Sequence, residues 1–258
     1  MNRLLVNRLI DKDGTFLISK NSGKITISDG VNANVLLLSI PEKDDFQIKV
    51  GNNVTLTISF LIKENINNKK VLLDAGENSN IQIYFADFSL GKAEFAFVGN
   101  LLQRNTSLNW HLASLSANSD NKTFDISVNH IAGSTFARMD NYGVCKDDAR
   151  LVFSGISTIN NGAKESKTHQ NSKIMVFDEK SDGIAKPILK IDENDIEASH
   201  AAVVGKINDD HLFYLTSRGL SESAAKELIT FGYLKPIMNG FVEEDIKEEI
   251  SKLIEERM

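Results

Sequence analysis

Residues 149–157 read Ala149-Arg-Leu-Val-Phe-Ser-Gly-Ile-Ser157, a run in which small residues alternate with branched ones. Similar runs fill the middle of the chain, and they begin near Ile81, Glu94, Leu108, Lys122, Thr135 and Ala149. They recur about every 13 to 14 residues, and clusters of Gly, Asn, Asp or Lys separate them, as is usual between strands. Short strands at regular spacing are typical of a sandwich, a barrel or a solenoid.

Two further features favour a solenoid with two strands in each coil, which gives a repeat of about 27 residues. Hairpin signals are few before Gly205, and they are Asp13-Gly14, Asp29-Gly30, Asn161-Gly162 and Asp182-Gly183. Asn, Ser and Thr also recur within the strand-like runs, where stacked coils could pair them. The pattern alone favours a solenoid over a sandwich and leaves the sandwich open.

The pattern changes near Gly205 from short strands to helices. Asn208-Asp209-Asp210 is a cap-like start for a helix that Gly219 can end, and Ser221 is a cap for a second helix that Gly232 can end. A third helix is predicted from about Val242 to Arg257, and its apolar stripe faces either the protein's own core or a partner. We therefore expect a β core over residues 1–205 and a small helical domain over residues 206–258.

Composition excludes several classes of protein. The net charge is −6 and no basic patch is interleaved with aromatic residues, so we expect no nucleic-acid partner. No window holds the roughly 18 apolar residues of a membrane span, and the first residues lack the apolar run of a signal peptide. We therefore expect a cytoplasmic protein. The single cysteine, Cys145, excludes an internal disulfide and is interpreted as a packed apolar residue.

No catalytic motif is present in the sequence. The five histidines lack metal-site spacing, and phosphate-binding, dinucleotide-binding and nucleophile-elbow motifs are absent. Asp125 and Asp192 could pair across coils for acid–base chemistry, although solvated side chains are the simpler interpretation. His200 differs because it lies among small residues beside the boundary between strands and helices. An imidazole there could bind iron or zinc, or it could have a purely structural role.

The stretch from Lys190 to Ser221 resembles the signature of the SufB/SufD family of iron–sulfur cluster assembly proteins. The matching elements are Ala198-Ser-His-Ala-Ala-Val-Val-Gly205 and Leu212-Phe-Tyr-Leu-Thr-Ser-Arg-Gly219. Upstream, residues 149–155, His169-Gln170 and residues 187–191 are also similar to the family pattern. Two positions resemble the SufD type, because Asn171 replaces the SufB-type cysteine and Ser199-His200 is the SufD form. Ala198, Ala201 and Val203 depart from the residues that are usual in the family.

This resemblance implies a right-handed parallel β-helix followed by a helical domain, in a non-catalytic scaffold subunit of the SUF system. It implies pairing with a SufB-type paralogue and docking of a SufC-type ABC ATPase. A transient iron–sulfur cluster would form at the SufB interface, and whether a flavin joins the complex is left open.

The resemblance also suggests roles for individual residues. His200 would serve the cluster, with direct metal binding as one option. Phe213, Tyr214, Arg218 and Gly219 are candidates for docking the ATPase or bracing the tail, and core packing is the alternative for the two aromatic residues. The remaining alternatives are a homodimeric scaffold, an interaction protein with an inert His200, and a β-solenoid enzyme or carbohydrate-binding module.

Overall fold

The computed structural model describes residues 4–6, 9–18, 23–40 and 45–258. The N-terminal segment used in the signal-peptide argument lies partly outside these residues. Along the described residues the chain forms strands and then helices. The strands are β1 (Leu4–Val6), β2 (Leu9–Ile10), β3 (Gly14–Ile18), β4 (Lys24–Ile27), β5 (Asn32–Leu37), β6 (Asp45–Val50), β7 (Thr55–Ile62), β8 (Ile66–Ala75), β9 (Asn80–Asp87), β10 (Lys92–Leu101), β11 (Ser107–Ser116), β12 (Asn121–His130), β13 (Phe136–Cys145), β14 (Arg150–Ile159), β15 (Ser166–Val176), β16 (Asp182–Ile191) and β17 (Ile196–Lys206). The helices are α1 (Asp209–Ser217), α2 (Glu222–Leu234), a 3₁₀ helix (Lys235–Gly240) and α3 (Glu244–Glu255).

The strands form a parallel β-solenoid with two strands in each coil. Odd-numbered strands make a nine-stranded sheet and even-numbered strands make an eight-stranded sheet, so each strand pairs with the strand two elements away. Thr55 pairs with Asn80 and Arg150 pairs with Asp182, so one coil from β7 onward takes 25 to 32 residues. Strands β9 to β14 begin within two residues of the predicted positions. The predicted solenoid is confirmed, and the sandwich is wrong.

A ladder of asparagines holds one row of turns in register. Asn53, Asn78 and Asn105 each adopt a left-handed backbone, with φ of 56°, 54° and 57°. Asparagine tolerates this conformation better than most residues. The Asn78 amide donates to Asn53 Oδ1 over 3.2 Å, and the Asn105 amide donates to Asn78 Oδ1 over 3.1 Å. The same asparagines thus adopt the backbone conformation that the turns require, and their side chains connect successive coils.

The main core lies between the two sheets. Inward residues alternate with outward ones along the strands, as on β10, where every second side chain is buried. Trp110 lies in this core among Phe85, Phe95 and Phe97, and its indole N–H donates to Asn141 Oδ1 over 3.1 Å. Beyond the last coil, formed by β16 and β17, the described chain adds no further coil. Inward residues of that coil are therefore accessible at its open end.

The helical tail, residues 209–258, begins as predicted. Asn208 accepts hydrogen bonds from the backbone of Asp210 and His211, and Gly219 follows α1 with φ of 96°. The predicted end of α2 at Gly232 is wrong, because α2 continues to Leu234 and Gly232 has no positive φ. A glycine inside a helix costs about 1 kcal/mol but does not end it, and here Pro236 marks the change to the 3₁₀ helix.

The later part of the tail packs on the outer face of the nine-stranded sheet. Ile246, Ile250 and Ile254 of α3 are buried in a second apolar cluster that includes Leu61 and Leu115 of the sheet. The predicted stripe of α3 therefore faces the protein's own core, except at Val242, which is 48% exposed. Strand gives way to helix between residues 206 and 209, as predicted. The division into two domains stays a prediction, since tail and sheet share this cluster.

Candidate functional site

His200 lies on β17, the edge strand of the nine-stranded sheet. It pairs in register with Gln170 of β15, and residues in register on parallel strands share a face. The Gln170 side chain points inward, where its amide donates to Ser157 Oγ over 2.9 Å and to the Ile188 carbonyl over 3.0 Å. His200 therefore belongs to the inner face of the sheet, and it is exposed because the coil is open at this end.

Small residues surround His200 on its strand. Its neighbours on the inner face of β17 are Ala198 and Ala202, each two residues away. The Gln170 Oε1 atom beside it is buried and has no hydrogen-bond partner among the described residues. The open end of the coil thus combines an accessible imidazole, space around it and one unsatisfied carbonyl oxygen.

A groove of about 260 Å³ runs along the same strands. Its lining includes Gln170 and His200 at the strand edge, and also Arg138, Asp140, His169, Asn171, Ser199 and Ala201. His169 Nδ1 lies 2.8 Å from Ser199 Oγ, which fixes the ring against β17. Because His169 and Ser199 are offset by one residue from Gln170 and His200, the two imidazoles lie on opposite faces of the sheet.

Asp140 is the centre of this groove. Its carboxylate accepts from Arg138 Nε over 2.7 Å, and the Asn171 amide lies at the limit of hydrogen-bond distance. His111 Nδ1 lies 3.8 Å from it, and burial lowers the pKa of His111 although Asp140 opposes the effect. This cluster around Asp140 was not predicted from the sequence. The i, i+2 spacing of Arg138 and Asp140 on one strand is the signal that could have revealed it.

The candidate docking residues lie on the surface of the tail. Phe213 is 74% exposed, Tyr214 is 55% exposed, and no residue of α1 is buried. The Arg218 guanidinium lies 5.0 Å from the centre of the Tyr214 ring, a cation–π contact, and Gly219 ends the helix. The core-packing interpretation of Phe213 and Tyr214 is therefore wrong. Their role in docking or bracing stays a prediction.

Cys145 is a packed core residue, as predicted. It is fully buried, its thiol lies 3.2 Å from the Ala149 carbonyl, and burial raises its pKa to about 12. A thiol in this state supplies almost no thiolate near neutral pH.

The structure shows few of the features expected of a carbohydrate-active solenoid. Trp110, the only tryptophan in the sequence, is buried and offers no stacking surface. Asp125 pairs in register with Ala96 and Ser154, so neither in-register neighbour is a carboxylate, although Asp45 and Glu94 line the same groove as Asp125. This larger groove, of about 440 Å³ on the eight-stranded sheet, is far along the chain from His200 and has no histidine in its lining.

Two absences hold for the part of the chain that the structure describes. No group of three or more His, Cys, Asp or Glu side chains there is arranged to hold a metal ion. No helix among the same residues has the length and apolar character needed to cross a membrane.

Comparison with known proteins identifies the family. Residues 45–233 match the family model described as SUF system FeS cluster assembly, SufBD core domain. The chain belongs to this SufBD family. The match covers β6 to most of α2 and so includes both His200 and the exposed aromatic residues of α1.

Individual relatives support the SufD type. The chain is 35% identical over 137 residues to the iron–sulfur cluster assembly protein SufD of Bacillus subtilis, covering 53% of this chain and 31% of the relative. It is 26% identical over 176 residues to SufD of Escherichia coli, covering 64% of this chain and 41% of the relative. SufB of Bacillus subtilis is 29% identical over 107 residues, or 42% of this chain and 23% of the relative. The chain thus spans less than half the length of these relatives.

Proposed function

We propose that this SufBD-family chain is a non-catalytic, SufD-type scaffold subunit for iron–sulfur cluster assembly in the cytoplasm. It pairs with a SufB-type paralogue through the open end of its solenoid and docks a SufC-type ATPase through α1. The observation that carries the proposal is the open end itself, where His200 and the exposed Val204 share the inner face of β17 and two strand edges have no ladder partner among the described strands.

The edges of β16 and β17 support pairing with a second solenoid. Each is the terminal strand of its sheet, so its outer backbone groups have no ladder partner among the described strands. Ile188, Val203 and Val204 are exposed large apolar residues on these strands. An exposed strand edge with apolar side chains is a site for strand addition by another chain.

Cysteine chemistry favours a partner that differs from this chain. Iron–sulfur clusters are held mainly by thiolates, with imidazole as a less common ligand. The only cysteine of this sequence is buried with a pKa raised to about 12, while His200 is accessible. A cluster formed here as cargo would therefore take its thiolates from the partner and at most an imidazole from this chain. A homodimer of this chain would lack accessible thiols.

The exposed aromatic surface of α1 supports docking of a second partner. Phe213, Tyr214 and Leu220 are exposed close together in the sequence, and Arg218 covers one face of the Tyr214 ring. Aromatic residues and arginine dominate the binding energy of many protein interfaces. A patch of this composition is a candidate site for the ATPase.

Point variants test the two surfaces separately. Truncation at Gly205 is unsuitable because it would uncover the apolar cluster beneath α3. We expect Phe213→Ser with Tyr214→Ser to lose the SufC-type protein while keeping the SufB-type protein during co-purification. We expect Val204→Lys, an exposed position on the inner face of β17 that His200 shares, to lose the SufB-type protein while keeping the SufC-type protein. Leu90→Ser, which changes an exposed apolar residue away from both surfaces, should retain both partners. Loss of neither partner in any variant would contradict the proposal.

A second experiment tests the role of His200. His200→Ala should leave the complex intact and lower the iron and sulfide content of the reconstituted complex, measured by absorbance and metal analysis. His169→Ala is the matched control, because this histidine lines the same groove but lies on the opposite face of the strand pair. Equal cluster content in wild type and His200→Ala would support an inert His200.

A further inference from the structure

The end of the tail contributes to a buried network of four charges in the solenoid. Arg257 pairs with Asp120 in the turn between β11 and β12, and both side chains are about 5% exposed. Its guanidinium also donates to the carbonyl oxygen of Ser89, in the turn between β9 and β10. The network therefore joins residue 257 to the turns of two successive coils.

The other half of the network lies inside the solenoid. Lys122 and Asp87 are fully buried, and Lys122 Nζ lies 2.7 Å from Asp87 Oδ2. Lys122 Nζ donates to the same Ser89 carbonyl over 2.7 Å and to the Leu115 carbonyl over 3.0 Å. The Ser89 carbonyl thus receives hydrogen bonds from one cation of the solenoid and one cation of the tail.

Arg257 balances the charge of Asp120. The Asp120 carboxylate also accepts from the backbone of Gly91 over 2.6 Å and of Ala117 over 3.0 Å, so it closes both turns. With Arg257 in place the network holds two cations and two anions. Without it, Asp120 is a buried carboxylate with backbone donors but no paired cation, which is a costly arrangement.

The apolar cluster beneath α3 attaches the tail, and its other charged contacts contribute less than the Arg257 pair. The ion pair of Lys63 with Glu249 is more than one third exposed on both sides, and such pairs stabilise little. Lys146 Nζ donates to the carbonyl oxygens of Met258 and Arg257 and so fixes the backbone there. By contrast, α1 has no buried residue and follows β17 after two connecting residues.

We infer that Arg257, Asp120 and the Ser89 carbonyl form a latch that, together with the apolar cluster, fastens α2, the 3₁₀ helix and α3 to the solenoid and does not include α1. The Arg257 latch thus distinguishes an anchored part of the tail from α1, which touches α2 but buries no residue. Because α3 is held in place, we expect a force on α1 to reach β17 and α2, its two chain neighbours, without detaching α3. This inference holds whether or not an ATPase binds α1.

Hydrogen–deuterium exchange on the full chain tests the latch, with Arg257→Gln compared with Lys252→Gln. Both variants remove one positive charge from the same region, but Lys252 is exposed and outside the network. In Arg257→Gln we expect amides of residues 244–256 to exchange about 100-fold faster, since breaking a buried ion pair costs several kcal/mol. Residues 107–116 should remain protected, and Lys252→Gln should match the wild type.

Two results would overturn the inference. One is the same exchange of α3 in Arg257→Gln and Lys252→Gln. The other is protection of α1 equal to that of α3 in the wild type. If Arg257→Gln does not fold, Asp120→Asn keeps the shape of the network and removes the opposite charge. It should still loosen α3 selectively, and a uniform loss of protection along the chain would count against a local latch.

Discussion

His130 gives the chain a pH-dependent stability whose magnitude can be worked out. The residue lies on β12 with no exposed surface, and Nδ1 is 2.7 Å from Thr135 Oγ1. Its other ring nitrogen, Nε2, is buried without a partner among the described residues. Burial lowers the pKa of His130 to about 4, against 6.5 for an ordinary histidine.

The sign of the effect follows from proton binding. Below about pH 6.5 the unfolded chain binds a proton at residue 130 that the folded chain does not, so stability falls as the pH falls. With folded and unfolded pKa values of about 4 and 6.5, the loss between pH 8 and pH 5 is about 2 kcal/mol. The loss of stability levels off below about pH 4, where His130 is protonated in both the folded and the unfolded chain.

Urea unfolding followed by fluorescence of Trp110, the only tryptophan, measures this loss. His130→Gln removes the titrating group, so its stability should fall about 2 kcal/mol less than that of the wild type between pH 8 and pH 5. Comparing how the free energy of unfolding changes with pH in the two proteins removes any pH-independent cost of the substitution. His211→Gln, at an exposed position of α1, should keep the wild-type slope. Identical slopes for wild type and His130→Gln would refute the reasoning.

Three further predictions concern packing and reactivity. Ile250→Ala should lower the free energy of unfolding by about 2–5 kcal/mol in urea titrations, whereas Val242→Ala at the exposed end of the stripe should change it little. Gly240→Ala should cost about 1–3 kcal/mol, measured in the same way, because its methyl group would overlap the ring of Tyr84 in a packed contact. Cys145 should resist alkylation in the folded chain at pH 8 and react after denaturation, as mass spectrometry would show, because burial raises its pKa to about 12.

The regular part of the fold could be predicted because its signal is local. A strand and its turn occupy about 14 residues, and asparagine at turns such as Asn78 and Asn105 marks where coils change direction. The placement of α3 could not be predicted in this way. A helical stripe such as Ile246, Ile250 and Ile254 shows that one face is covered, but not by which surface.

The candidate site was predictable in part. The resemblance identified His200 as a residue of interest, and the exposed position of Phe213 became known only from the structure. The face on which His200 lies depends on register with a strand 30 residues earlier, and a shift of one residue would reverse it. The same limit applies to the Arg257 latch, whose members Asp120 and Ser89 are far from Arg257 in the sequence.

The face of His200 restricts how a partner can reach it. If the imidazole lay on the outer face, a partner could approach from the side, over the groove that contains Asp140 and His169. Register with Gln170 instead puts it on the inner face of the last coil, at an edge that also borders this groove. In the proposed pairing, a partner that contacts the His200 ring covers the open end of the coil. In the proposed function, this contact would add strands to β16 and β17 and enclose the imidazole in one step, so pairing and formation of the proposed cluster site would be a single structural event.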